Sequence, residues 1–314
     1  MTLTYHHVSV MPNEVIQYLD CKPGDIVVDC TLGGCGHSKL ILEKILPGGL
    51  LIGIDQDTDS LNNAKTVLAD HLSSVRLFHG NFEGLPDYLK ECGIDKVDAI
   101  LADIGISFHH IQGSGRGFSF TKNEPLDMRM DTRNELTASD IVNCFEEKEL
   151  TKIFREYGEE KFAPKIAREI VRRRLSSEIR TSLELADLIS GCIPRKFADK
   201  SKIHPATRVF MAIRIAVNKE LEVLERFMDT VPDHLKTGGR LCVLSFHSLE
   251  DRIVKRRIKG LENPCTCPKS LPICVCGRLP IMKSLTRKAV KPSEEEILRN
   301  PMSRSTKLRA AVRL

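Results

Sequence analysis

Apolar and polar positions change rhythm twice along this chain. Between residues 26 and 103, short β-branched runs at 26–29, 50–54, 75–79 and 97–103 read as strands. Helical spacing fills 38–46 and 57–70 between them, and Pro12 marks the first turn of a lead-in helix over 8–19. Strands alternating with helices predict a parallel sheet covered on both faces. From about Gly113 to Met211 the rhythm is helical, with helices expected over 138–144, 147–157, 164–175 and 182–190. Thr137, Thr151 and Thr181 are their start signals. The first rhythm then returns: a helix over 216–227, the pair Gly238-Gly239, a strand over 241–247 and a helix over 248–259. A proline-broken stretch follows, and the chain closes on a basic, strand-like run over 306–314. The pattern predicts an α/β domain of residues 1–112 and 212–314. A helical domain, 113–211, interrupts it and is suited to recognise a substrate.

The first strand runs into Cys30-Thr31-Leu32-Gly33-Gly34-Cys35-Gly36-His37, a glycine-rich turn ahead of a helix. Such a turn lets backbone N–H groups and a helix N-terminus approach a nucleotide-like ligand. Asp55 ends the second strand 19 residues after Gly36, where a carboxylate can accept hydrogen bonds from ribose hydroxyls. Two cofactor classes share this half-site. A dinucleotide fingerprint asks for a third glycine where Lys39 stands, and Asp29 just before the loop would repel a pyrophosphate. The same acid could hold a cationic amino-acid group, which favours S-adenosylmethionine over NAD(P). Asp29, Asp55 and Asp103 all lie at carboxyl ends of strands, so they are expected to face one crevice. Phe82 reads either as core or as a ring beside an adenine.

At 314 residues, 41% hydrophobic and 28% charged, the chain is long enough for two domains. No run reaches the ~18 apolar residues of a membrane span, and the first residues do not read as a signal peptide. Eleven cysteines, mostly scattered singly, fit a reducing compartment, and the cytoplasm is expected. Trp is absent and aromatics are 5%, which disfavours a broad aromatic platform for bases. The net charge is only +5, but basic residues bunch at Arg168–Arg180, at Arg252–Lys259 and in the tail around Arg299–Arg313. Each cluster reads as an RNA contact or as a solvated face. Arg116, in a glycine-rich link, is a candidate for a phosphate or base. His247 reads as a substrate contact, or as part of a helix start capped through Ser248. Cys265, Cys267, Cys274 and Cys276 form C-x-C-x6-C-x-C. Four thiolates so spaced could hold structural Zn²⁺, although the spacing departs from the commoner C-x2-C knuckles. No metal is assigned at this stage.

Several stretches together carry a family resemblance. They include Asp29-x-Thr31-x-Gly33 through Gly36-His37-Ser38, Gly53-Ile54-Asp55-Gln56-Asp57, Arg116-Gly117-Phe118-Ser119-Phe120 and Pro125-Leu126-Asp127-Met128-Arg129-Met130-Asp131. Tyr157-Gly158-Glu159-Glu160, His204-Pro205-Ala206-Thr207-Arg208, Ser245-Phe246-His247-Ser248-Leu249-Glu250-Asp251 and Asn300-Pro301-x-Ser303-Arg304-Ser305 complete the set. Over essentially its whole length the chain resembles the ribosomal RNA small subunit methyltransferase H family, bacterial 16S rRNA cytosine-N4 methyltransferases. The resemblance implies a class I, Rossmann-like S-adenosylmethionine-dependent methyltransferase domain with an inserted helical domain. It implies methylation of the N4 amine of a decoding-centre cytidine in 16S rRNA, with the small ribosomal subunit as partner and a homodimer among the expected states. The cofactor contacts it implies are Cys35, Gly36, His37, Asp55, Phe82, Asp103 and His110. Cys35 stands where the family commonly has Gly, and His110 where it commonly has Gln. Cys35 can offer its backbone N–H there if its φ is negative. Transfer to the amine would be direct and in line; Asp103, Ser107 and a backbone carbonyl remain open as acceptor of its proton. The base must be unpaired or flipped. The rival readings are a dinucleotide oxidoreductase and an RNA binder on an inactive methyltransferase fold.

Overall fold

The computed structural model describes residues 9–198, 203–268, 273 and 275–314. It divides into two compact units, residues 9–105 with 221–314, and residues 106–220.

The first unit is built on seven strands: β1 Ile26–Asp29, β2 Leu50–Asp55, β3 Val75–His79, β4 Val97–Asp103, β5 Leu235–Ser245, β6 Met282–Ser284 and β7 Lys307–Arg313. Their order is β3-β2-β1-β4-β5-β7-β6, parallel except that β7 runs antiparallel to both β5 and β6. This is the class I methyltransferase sheet that the resemblance implies. Side chains alternate between its faces. Val27, Leu51, Ala99, Leu101 and Leu244 pack with Val15, Leu19, Ile41 and Ile45 of helices Pro12–Leu19 and Gly36–Ile45. Val28, Ile52, Ile54, Ile100 and Val243 pack with Leu89, Phe227, Met228, Val254 and Ile258 on the other face. Two covered faces explain why the strands read as nearly unbroken apolar runs.

The second unit is helical, from Phe108–Gln112 through Ala138–Cys144, Glu147–Glu156, Ala163–Arg174, Ser182–Cys192 and Arg195–Ala198 to Thr207–Asn218. Its core contains Leu150, Phe154, Ile166, Ile170, Leu185, Ile189, Val209 and Ile213. Thr137 and Thr181 cap their helices as expected, each with an acidic partner three residues on. Thr151 does not: it lies inside helix Glu147–Glu156, whose start is closed by Glu146 and Glu149.

The region after residue 200 departs from expectation in two places. The helix expected over 216–227 is two helices, Thr207–Asn218 and Glu220–His234, separated at Lys219, whose φ is 49°. Apolar spacing runs through this break because both helices are amphipathic. The last parallel strand begins at Leu235 rather than 241 and ends at Ser245, two residues short of His247. Among the described residues, no helix is long and apolar enough to cross a membrane.

Candidate functional site

β1 lies between β2 and β4, and the chain leaves it toward β2 on one side and β4 on the other. Ligands of open α/β sheets bind outside the carboxyl ends of strands at such a switch point. The register pairs Asp29 with Gly53 and with Leu101, so Asp55 and Asp103 each stand two residues further along a neighbouring strand. All three carboxylates therefore sit at one edge of the sheet, on adjacent strands.

Their surroundings differ. Asp29 is fully buried. Its Oδ2 accepts the Ser38 hydroxyl at 2.6 Å and its Oδ1 the Thr31 N–H at 3.2 Å. Burial pushes its carboxyl up to about 6, against the pull of Ser38, His37 and Thr31, with Asp103 adding to the rise. The expectation that Asp29 holds a cationic ligand group is corrected: both oxygens pin the glycine loop to the following helix, beneath the surface. The spacing of an acid two residues before Thr31 signals such a turn. Thr31 in turn accepts the Asp103 N–H through Oγ1 at 2.8 Å, tying the loop to β4.

Asp55 is half-buried and ties the loop to β2, its Oδ2 accepting the Gly33 N–H at 3.0 Å and its Oδ1 the Asp57 N–H at 2.9 Å. A carboxylate has about four acceptor sites, so it can take ribose hydroxyls in addition. Asp103 Oδ2 lies 3.5 Å from His37 Nε2, an ion contact too long for a well-formed hydrogen bond. Among the described residues, Asp103 Oδ1 and both ring nitrogens of His37 are buried with no hydrogen-bond partner. Burial pulls the His37 imidazole down, but Asp103, Asp29 and Glu296 together hold it above its ordinary value. Buried polar groups in folded proteins are nearly always satisfied, so three such atoms at a strand edge mark a place built for a polar ligand.

Cys35 has a φ of 62°, not a negative one, and its N–H closes the turn onto the Leu32 carbonyl at 2.7 Å. The expected backbone contact from Cys35 is therefore corrected: the N–H is consumed by the turn, which explains why glycine suits the position. The helix-start N–H groups left for a ligand are those of Gly36 and His37. A Cβ on Gly36 would meet Ser9 Oγ at 2.0 Å. Burial pushes the Cys35 thiol up to about 12, so it is no thiolate nucleophile. Phe82 follows β3, half-buried, with its ring edge-on to Phe227 at 5.0 Å. It is thus anchored in the core while part of it stays accessible. Asn81 in that turn donates to Gln56 Oε1, just after β2, at 3.1 Å, a link that sequence pattern does not signal.

The remaining candidates have internal roles. His110 and Arg116 belong to the helical unit. His110 Nδ1 accepts the Ser107 N–H at 3.1 Å in a capping box, and its ring packs edge-on to Phe118 at 5.1 Å. The Arg116 guanidinium is buried and donates to the Arg129 and Met130 carbonyls at 2.9 and 3.1 Å. It clamps its own loop, contrary to the expectation that it reaches a phosphate or base. Asn218 holds the same loop, accepting the Met130 N–H and donating to the Met128 carbonyl, each at 2.8 Å. His247 closes the start of helix Ser248–Glu262 with Glu250, whose Oε2 accepts the Phe246 and His247 N–H groups at 2.8 and 3.1 Å. The cap is His247 itself rather than Ser248.

The basic clusters also separate. In the first, Arg172, Arg168 and Arg180 pair with Glu169, Glu147 and Glu178, and Arg174 donates to the Val142 carbonyl. In the tail, Lys307 and Arg309 close on Asp251, and Arg299 pairs with Glu295. On helix Ser248–Glu262, Arg252, Lys255, Arg256 and Lys259 are exposed at helical spacing, forming a stripe opposite the buried Val254 and Ile258.

Comparison with known proteins follows this geometry. The model of the MraW methylase family matches residues 4–314. A ribosomal RNA small subunit methyltransferase H from Desulforapulum autotrophicum is 55% identical over 99% of this chain and 100% of its own length. The protein of that name from Clostridioides difficile is 47% identical over the same shares. An rRNA methylase structure from Streptococcus thermophilus aligns with a TM-score of 0.42 at 10% identity, over 96% of this chain and 93% of that one. That last likeness is too distant to bear on function.

Proposed function

The chain belongs to the MraW methylase family, and from that premise we propose that it methylates the N4 amine of a decoding-centre cytidine in 16S rRNA of the small ribosomal subunit. The cofactor is S-adenosyl-L-methionine, which supplies an electrophilic methyl group on a sulfonium. The observation that carries the reading is the strand edge that holds Asp55 and Asp103 with His37 beside Asp103, where three buried polar atoms have no hydrogen-bond partner among the described residues.

Asp55 accepts hydrogen bonds from the ribose hydroxyls, beside the Gly33 and Asp57 N–H groups it already accepts. Asp103 and His37 offer a carboxylate oxygen and ring nitrogens to the polar groups of the same molecule, and Gly36 and His37 offer the helix-start N–H groups. Phe82 lies along the adenine with the face that Phe227 leaves accessible. Cys35 shapes the loop, and His110 enters the set through the family alone. The cytosine amine is a poor nucleophile because its lone pair is delocalised, so orientation carries much of the catalysis. No covalent intermediate is required, in keeping with a Cys35 thiol that stays protonated.

RNA is held by the stripe Arg252, Lys255, Arg256 and Lys259. His247 and Arg116 act as positioning residues: one fixes the start of that helix, the other the glycine-rich loop of the helical unit. The test is methyl transfer from labelled cofactor to small subunits taken from cells lacking the gene, with nucleosides then identified by mass spectrometry. N4-methylcytidine at one decoding-centre site is expected. Label on another nucleoside, or full occupancy of that site in the deletion strain, would overturn the substrate assignment.

A further inference from the structure

The stretch between helix Ser248–Glu262 and β6 is irregular, and its ends are tied where the Ile281 N–H donates to the Leu261 carbonyl at 2.9 Å. Its apolar residues Ile273, Val275 and Leu279 are 75%, 77% and 79% exposed, so they make no core. Yet the Sγ atoms of Cys265, Cys267 and Cys276 all lie within 4.8 Å of one another. Zinc–thiolate bonds of ~2.3 Å at tetrahedral angles separate sulfurs by about 3.8 Å, which falls within this limit. Three sulfurs gathered round one point suit a shared centre, whereas a disulfide would single out a pair.

A second observation concerns the sulfur itself. The Val275 N–H donates to Cys267 Sγ at 3.4 Å. Backbone N–H groups directed at ligand sulfurs stabilise the thiolate form and orient it toward a metal. Gly277, with φ 64°, turns the chain immediately after Cys276.

The geometry points to a structural Zn²⁺ site on Cys265, Cys267 and Cys276, stapling a segment whose described residues Ile273, Val275 and Leu279 are exposed. For the fourth ligand the sequence offers Cys274, which lies outside the described residues. Thiolate-rich zinc sites are structural, whereas catalytic ones draw chiefly on histidine and carboxylate, so the metal holds the fold rather than reacting. Metal and cofactor sites draw on different residues, so the staple is independent of the methyl-transfer reading.

The full-length protein, expressed with zinc and purified without chelator, is assayed by elemental mass spectrometry. One Zn²⁺ per chain is expected, with near-complete loss in the double variant Cys265→Ser/Cys267→Ser and retention in Cys144→Ser, an exposed cysteine of the helical unit. Replacing the metal with Co²⁺ should give the thiolate charge-transfer and tetrahedral d–d bands. Wild-type protein without zinc, iron in its place, or zinc retained by the double variant would each overturn the site. The wild-type assay decides even if the variants do not fold.

Discussion

In the sheet unit, Asp103 Oδ1 and both nitrogens of His37 are buried with no hydrogen-bond partner among the described residues. In the helical unit, the polar groups that drew attention in the sequence are bonded to their own loop: Arg116 to two carbonyls, Asn218 to Met128 and Met130, His110 to Ser107. Both units bury polar side chains, but Arg116 and Asn218 bond to their own loop, whereas Asp103 Oδ1 and the His37 ring nitrogens have no hydrogen-bond partner among the described residues. Polar burial in the helical unit fixes a loop, and in the sheet unit it prepares a ligand site. The difference teaches that buried, charged motif residues do not share a role by sharing a motif.

That contrast can be broken by substitution. The largest effect is expected from Asp103→Ala in the sheet unit. Losing a charge-assisted contact costs about 1.5–3 kcal/mol, so the cofactor Kd should rise by about 10- to 100-fold in calorimetry. Asn218→Ala removes two buried hydrogen bonds, to Met130 and Met128, and a partly buried one to Arg214. It should destabilise the protein by about 2–4 kcal/mol in denaturant titration while leaving cofactor Kd within about twofold. If Asn218→Ala weakened cofactor binding as much as Asp103→Ala, the distinction between the units would fail. Reversing two charges of the exposed stripe, Lys255→Glu with Arg256→Glu, should weaken binding to small subunits and lower the salt slope by about 1 per lost phosphate contact. Cofactor affinity should not move.

The smallest effect lies in pH dependence. The Asp29 carboxyl is raised in the folded state, to about 6 from 3.8. The native state therefore holds its proton more tightly, and the stability it contributes is present at low pH and lost as pH rises from about 4 through about 6. His37 is raised as well, so its contribution is present below 6.5 and lost above that, as pH passes its folded value. Asp29→Asn should flatten the slope of unfolding free energy between pH 4 and 6. An unchanged slope would show that Asp29 does not titrate in that window.

The positions of β3 and β4 and the alignment of Asp55 with Asp103 were legible because short, β-branched apolar runs mark strands and their ends. The helical stretch was legible as a change of period. What periodicity does not carry is where a polar side chain finds its partner. Asp29 and Asp55 look alike at the ends of their strands, yet a serine two residues after Gly36 buries one of them. Arg116 looks like a phosphate ligand until the carbonyls of Arg129 and Met130, more than ten residues away, take its guanidinium. The left-handed turn at Cys35 is hidden by its side chain, because a glycine would have signalled it. The break at Lys219 was missed because apolar spacing continued across it.

The most direct test of the central claim is a crystal structure of the protein with S-adenosylhomocysteine. The account predicts ribose hydroxyls on the Asp55 carboxylate, with Asp103 Oδ1 and a His37 nitrogen in contact with the same molecule. A complex in which the ligand left Asp103 and His37 untouched, or bound away from the carboxyl ends of β1, β2 and β4, would contradict it.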